Sequence, residues 1–414
     1  MIKHYILILS LWLTAFVCIG AQVPINVGIQ ILKAEDALRY DAVLERLIRS
    51  PNALIRKRAV LAAGRIGDAR AIGPLSELLA NDKDVSVRAM AAFAIGEIES
   101  IQGTDAILKT LLDSSTPHDV TARAAEAAGK IAGANANDEK SKQLGAALLS
   151  TLDAELKKTS ATNSDIILLG LTAVLRSRPA GSEETVRKFL AFTDPNIVAT
   201  ALNTLARLRA KNANRDARDL LATHVNAIVR ANAARVLAAA EDKEALDILI
   251  KAATTDGDSR VRVSAIRALG ALKDAKAADP LLTRGEALFD VYKKTWKPNY
   301  IPAEQNEFIE IATSLGRIIP NAYHQRADDL FRAFGKIDKG HATEVYIART
   351  RIGQRRGDPK EAPELTDWHQ YSTLAQIVGE FASIEPTSDV GKAMKSEAPG
   401  VLRPLASAFA SADP

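Results

Sequence analysis

Six histidines, one cysteine and scattered carboxylates are the side chains that could carry chemistry in this chain of 414 residues. A metal site would need histidines or carboxylates that converge, most simply on one helix face or in a His-Glu-x-x-His pattern. His4, His118, His224, His324, His341 and His369 have no such spacing. A covalent hydrolase would show a Gly-x-Ser-x-Gly elbow and a nucleotide-binding protein a glycine-rich phosphate loop, and neither pattern occurs. Asp328-Asp329 and the Glu307/Glu310 pair have the composition of an acid–base couple but read as solvated helix faces. Cys18 is the only thiol, and it falls within an N-terminal apolar stretch. These observations assign no catalytic, cofactor-binding or metal-ligating residue, and the chain is expected not to be an enzyme and to need no cofactor.

The residue types that do recur are a capping side chain and an arginine four positions later. They are Asn52 and Arg56, Asp84 and Arg88, Asn226 and Arg230, and Asp258 and Arg262, each followed by an alanine-rich run. At a helix start, Asp or Asn accepts from free backbone N–H groups. An arginine one turn on can reach that side chain, or its equivalent in the next repeat. The eight residues are therefore expected to form a structural stacking ladder. Thr121 and Ala199 replace the arginine in two units, which a stacking ladder tolerates better than a ligand-gripping stripe would.

The elements that must position this ladder follow from its period. Ile55 and Val87 lie 32 residues apart, Val87 and Val120 33, Val198 and Val229 31, and Val229 and Val261 32. Such periods mark a repeat array in which each unit buries its apolar face only against its neighbours. Gly64, Gly96, Gly129 and Gly270 each follow their β-branched anchor by nine residues. Glycine late in a helix costs about 1 kcal/mol against alanine, so close helix approach at the seam between units is the expected compensation. The fold class is all-α, an α-solenoid of antiparallel helix pairs. The first pair is expected from about Glu35 to Gly67, with Gly67 as a left-handed cap. An enlarged pair is expected in the insertion from Asn135 to Arg178.

Four segments result: 1–21 a signal peptide, 22–275 the repeat array, 276–357 looser pairs continuing it, and 358–414 a linker with C-terminal helices. Lys3-His4, the apolar run Tyr5 to Val17 and the small residues before Ala21-Gln22 have the form of an export signal. An uncleaved membrane anchor is the alternative, and otherwise no membrane contact is expected. The expected location is periplasmic or extracellular. Cleavage would leave a chain without cysteine, stabilised by packing alone. The final apolar stripe Val401, Leu402, Leu405, Ala408 and Phe409 looks like the first helix of an unfinished pair, so the architecture is expected to continue past Pro414.

The Asp/Asn-x-x-Val/Ile-Arg starts and late glycines resemble HEAT repeats, more closely the short HEAT-like units of phycobilin lyases. The resemblance is close over about 35–275 and loose over 276–414. With the export signal, the arrangement also resembles the N-terminal array of exported bacterial HEAT proteins that end in a cyclophilin-type peptidyl-prolyl isomerase domain. It implies a scaffold that holds a protein or peptide along the concave face lined by second helices. The rival readings it brings are the substrate-presenting arm of an isomerase and, more weakly, a bilin lyase. A HEAT-like DNA glycosylase fits neither the export signal nor the net charge of +4, from 54 basic and 50 acidic residues; no nucleic-acid partner is expected. Two surfaces stand out. One is the aromatic excursion Tyr292, Trp296 and Tyr300 among Lys293, Lys294 and Lys297, readable as a partner contact or as a cover over the widened pair. The other comprises two basic clusters, Arg207 to Arg218 and Arg349 to Arg356, read as solvated turns.

Overall fold

The computed structural model describes residues 22–158, 162–295, 303–319, 324–338 and 343–352. The expected leader, Trp296 and Tyr300 of the aromatic excursion, and the expected C-terminal helices of 358–414 lie outside these residues. Among the described residues there is no strand. They form two compact units that divide between Leu208 and Arg209. The boundary expected near residue 275 falls inside the second unit.

The first unit begins with α1 (Ile25–Asp36). Five pairs follow: α2 (Ala42–Ile48) with α3 (Ala53–Ile66), α4 (Ile72–Asn81) with α5 (Val85–Ile98), α6 (Thr104–Leu112) with α7 (His118–Ala134), α8 (Glu139–Leu156) with α9 (Ser164–Ser177), and α10 (Ser182–Lys188) with α11 (Pro195–Leu208). The second unit has four: α12 (Asn214–Thr223) with α13 (Ala227–Ala239), α14 (Leu246–Thr255) with α15 (Ser259–Leu272), α16 (Ala278–Thr295) with α17 (Ala303–Ile318), and α18 (Gln325–Asp338) with α19 (Thr343–Arg351). The first pair starts later than the sequence suggests. Glu35 belongs to α1, a separate helix that packs on α3, buries Ile31 and Ala34 and leaves Ile25, Ile29 and Leu32 exposed. Asp41 caps α2 by accepting from the N–H groups of Val43 and Leu44 at 3.0 Å each.

Second helices pack in series within each unit: α3 on α5, α5 on α7, α7 on α9 and α9 on α11, and separately α13 on α15, α15 on α17 and α17 on α19. The residue types explain the close approach. A methyl group added at Gly64 would sit 2.8 Å from the Cα of Ala94, and one at Gly96 would sit 2.7 Å from the Cα of Ala127. These are backbone contacts, which no side-chain rotation relieves. The glycine of one second helix thus receives the alanine of the next. Gly67 ends α3 with φ of 77°, the left-handed cap.

The joints between pairs carry a feature that the 32-residue period alone does not show. Short 3₁₀ turns at Ala69–Ala71, Ile101–Gly103, Lys243–Ala245 and Ala275–Ala277 lead into the next first helix. Each is capped by the side chain just before it (Asp68, Ser100, Asp242 or Asp274), which accepts the N–H two residues on.

Candidate functional site

No group of three or more metal-ligating side chains gathers among the described residues. His224 Nδ1 accepts from the Asn226 N–H at 3.0 Å and His324 Nδ1 from the Ala327 N–H at 3.3 Å, so both imidazoles serve helix starts. His118 opens α7. The two carboxylate sets differ from their sequence reading as solvated faces. Glu307 is only 3% exposed and Asp328 only 2%. Each is neutralised by two arginines: Glu307 by Arg262 and Arg284, Asp328 by Arg332 and Arg349. Burial pushes the Glu307 carboxyl up, but hydrogen bonds from Arg262 and Arg284 outweigh it and hold the group below its ordinary range. Glu310 binds Arg267, and Asp329 accepts from Gln325. A carboxylate locked in its charged form by two cations is a poor proton donor near neutral pH.

The ladder residues divide their labour. Asn52, Asp84, Asn226 and Asp258 cap their own helices, accepting from the N–H groups of Leu54, Ser86, Ile228 and Arg260 at 2.8–2.9 Å. The arginines bind neither these caps nor the equivalent caps of the next pair. Arg56 donates from Nε and Nη2 to both oxygens of Asp82 at 2.7 Å each, and from Nη1 to the carbonyls of Ser50 and Pro51. Arg230 repeats this with Asp256 at 2.8 and 2.9 Å and with the carbonyls of His224 and Val225. Asp82 and Asp256 each end the first helix of the following pair, two residues before that pair's cap. Each arginine therefore closes the end of its own first helix and pins it to the next pair, with bidentate geometry. Arg262 reaches Glu307 instead, because the following pair is wider. Arg88 departs from the pattern, and its Nε donates to the Leu79 carbonyl at 3.0 Å.

Tyr292 is 1% exposed and stacks on Phe334 with centroids 4.9 Å apart. Phe308 stacks on Phe334 at 4.3 Å, and Phe289 and Phe331 complete the cluster. Tyr292 is thus a core residue and presents no contact surface. Its partners Trp296 and Tyr300 lie outside the described residues. Of the basic clusters, Arg349 is tied to Asp328, and Arg218 to Asp242 and Glu244.

A different aromatic emerges on the second-helix face of the first unit. Phe93, on α5, is half-buried. Lys130 Nζ stands 4.4 Å from its ring centroid, and the Arg123 guanidinium carbon stands 5.5 Å from it. Lys130 is held by Glu97 at 2.5 Å and Glu126 at 2.6 Å, and Arg123 by Glu126 at 2.7 Å. Burial pushes the Glu126 carboxyl up, yet Lys130 and Arg123 hold it charged and below its ordinary range. The result is an aromatic ring with two cations over it, each held in turn by an ion pair. Rings and arginines in such settings supply most of the binding energy at protein interfaces. The signal was present in the sequence, since Phe93 is the single aromatic in the second helices α3, α5, α7, α9, α11, α13 and α15. It was hidden by the alanine run around it.

The family model for HEAT repeats matches residues 40–129 and 214–287. Among solved structures, the chain is similar to the Escherichia coli protein YibA, at 16% identity over 72% of this chain and 98% of that one, with a TM-score of 0.50. Importin beta is similar at 14% identity over 87% of this chain and 50% of that one, also at 0.50. The complex of CpcE and CpcF, the phycocyanin lyase of Nostoc sp. PCC7120, matches at 14% identity over 77% of this chain and 96% of that one. Its TM-score of 0.36 is too low to bear on fold or chemistry. No curated protein matches the chain. The fold is an α-solenoid of antiparallel helix pairs with HEAT repeats at 40–129 and 214–287, and no described helix is long and apolar enough to cross a membrane.

Proposed function

We propose that this HEAT-repeat α-solenoid is an exported, non-enzymatic scaffold that holds a protein or peptide partner on its second-helix face, with Phe93 as an anchor. The observation that carries the reading is the clamped ring: Phe93 with Lys130 at 4.4 Å and Arg123 at 5.5 Å, in a class of helix that is otherwise free of aromatics through the regular repeats. Stacked helix pairs recognise partners by surface complementarity along many repeats, and a rigid aromatic lowers the entropy lost on binding. The buried carboxylates support the non-enzymatic part, because each is already neutralised. Export rests on the sequence of residues 1–21.

The experiment is a quantitative pull-down from the envelope fraction with C-terminally tagged full-length chain, wild type against Phe93→Ala. The N-terminus of the recovered protein is sequenced alongside. The reading expects processing near Ala21, a specific partner captured by the wild type, and loss of that partner in Phe93→Ala at unchanged melting temperature. Equal capture by both proteins would remove Phe93 from the interface, and recovery of unprocessed chain from the cytosol would overturn export.

A further inference from the structure

Of the four ladder arginines, Arg88 alone has no carboxylate partner among the described residues. Arg56 and Arg230 each take both oxygens of the aspartate that ends the next first helix. Arg88 occupies the same position on α5, and Asp113 the same place at the end of α6. The turn that follows differs. It runs over three residues at 82–84, 224–226 and 256–258 but five at 113–117. In the longer turn Asp113 Oδ1 accepts from the Ser115 N–H at 2.9 Å and the Ser115 hydroxyl at 2.6 Å. Arg88 keeps a single hydrogen bond, Nε to the Leu79 carbonyl, and forms no salt bridge among the described residues. The Asp113 carboxyl lies below its ordinary range, first through the Ser115 hydrogen bonds and then through the charges of Arg88 and Lys109, so both cations are within electrostatic reach of this turn. Two apolar side chains close to these residues along the chain face solvent, Leu112 next to Asp113 at 68% exposure and Val85 one turn before Arg88 at 40%.

We propose that Arg88 is a docking point for a partner's acidic side chain: its free guanidinium edge receives the carboxylate, Lys109 adds a second positive charge, and Leu112 and Val85 take a neighbouring apolar residue. A partly buried arginine keeps most of its desolvation cost without a bidentate partner, so a carboxylate supplied from outside recovers what the other rungs gain internally. Asp113 tunes the site, since its charge opposes an incoming acid. The ligand class is an acidic–aliphatic peptide segment. The proposal shares with the preceding section the premise of a protein partner, but it uses a different edge of the first unit and neither Phe93 nor an unidentified ligand.

The test is a titration of full-length protein, observed through the arginine Nε–H resonances, with N-acetyl-Leu-Glu-Glu-Leu-amide and its Leu-Gln-Gln-Leu counterpart. The Glu peptide is expected to move the Arg88 resonance saturably and to bind about tenfold or more tighter than the Gln peptide, the scale of a charge-assisted pair. Arg88→Gln should abolish the difference, Asp113→Asn should tighten Glu-peptide binding several-fold, and Phe93→Ala should leave both intact. Equal affinities for the two peptides, or an Arg88 resonance that does not move, would overturn the proposal. So would a melting-temperature loss in Asp113→Asn as large as that in Asp82→Asn, because Asp113 would then already be the partner of Arg88 in solution.

Discussion

Residues 53–134 and residues 278–352 solve the same packing problem in different materials. In the first region second helices meet through glycine against alanine, Gly64 on Ala94 and Gly96 on Ala127, and the surrounding core is alanine, leucine and isoleucine. In the later region that seam persists, since a methyl group at Gly316 would lie 2.9 Å from the Cα of Ala348. What changes is the layer behind it. Phe289 and Tyr292 on α16, Phe308 on α17, and Phe331 and Phe334 on α18 fill a wider space with stacked rings. Charges follow the same division. In the first region Arg56 pairs with an aspartate at a turn, whereas in the later one Glu307 and Asp328 are buried within helices and each draws in two arginines. The second-helix seam is thus common to the two regions, and the layer behind it is where they differ.

The comparison breaks most severely with a charge in the seam region. Val87 is fully buried on α5, and Val87→Asp should cost about 3–5 kcal/mol, because it places a carboxylate in an interior packed for an apolar side chain. Its melt by circular dichroism should show an early transition for the first unit. Retention of the wild-type melt would refute the burial of this face. Next comes the aromatic layer. Phe334→Ala removes the ring on which both Tyr292 and Phe308 stack and should cost about 3–5 kcal/mol. A loss below about 1 kcal/mol would mean the wider pair collapses onto the hole, and the layer is less specific than its geometry implies.

A smaller effect sharpens the role of the glycines. Helix propensity alone makes Gly→Ala favourable by about 1 kcal/mol. At Gly96 the added methyl group meets the Ala127 backbone at 2.7 Å, so Gly96→Ala should instead destabilise by about 1–3 kcal/mol. At Gly73 nothing lies within 4 Å, and Gly73→Ala should be neutral to stabilising. If the two substitutions shift the melting temperature in the same direction, the seam is not sterically tight. The smallest effect is the acid response of the ladder. The Asp256 carboxyl is lowered first by the hydrogen bond from Arg230; at Asp82 burial opposes, and Arg56 still carries it below the ordinary range. Asp258 is lowered to about 2, first by the hydrogen bond from Arg260. Depressed carboxyls contribute stability that is present above the unfolded-state value, about 4, and lost as pH falls through the folded value. Melting temperature should therefore be insensitive to these groups from neutral pH to about 5 and decline between about 4 and 2. Asp256→Asn should flatten part of that decline, and an unchanged acid profile in this variant would show that the pairing with Arg230 is not maintained in solution.

Much of the architecture is legible in the sequence, because it is written in short-range chemistry. Capping by Asn52, Asp84, Asn226 and Asp258 is decided within three residues of chain, and the left-handed cap at Gly67 within one. The period of about 32 residues follows from repeats that can bury their apolar faces only against copies of themselves. The insertion between α7 and α10 also resolved into one enlarged pair at nearly the expected residues, since its two amphipathic runs are long enough to define helices. Helix α1 is not legible in the period, because it lies before the first recurrence of the motif, where there is no repeat to compare it with.

The sequence by itself determined the all-helical repeat, its register and the residues that cap the second helices at Asn52, Asp84, Asn226 and Asp258, because those depend on local hydrogen bonding and on one-dimensional periodicity. The tertiary structure decided who meets whom. It gave Arg56 and Arg230 to aspartates two positions before the expected caps, because the turn of the next pair swings that carboxylate towards them. It turned Tyr292 inward and buried Glu307, because a wider pair leaves space that only large rings fill and brings Arg262 and Arg284 to one carboxylate. It also brought Phe93 of one repeat against Lys130 and Arg123 of the next. Contacts between repeats depend on the length and shape of the intervening turns, and a difference of two residues in one turn is enough to leave Arg88 without the partner its sequence position predicts.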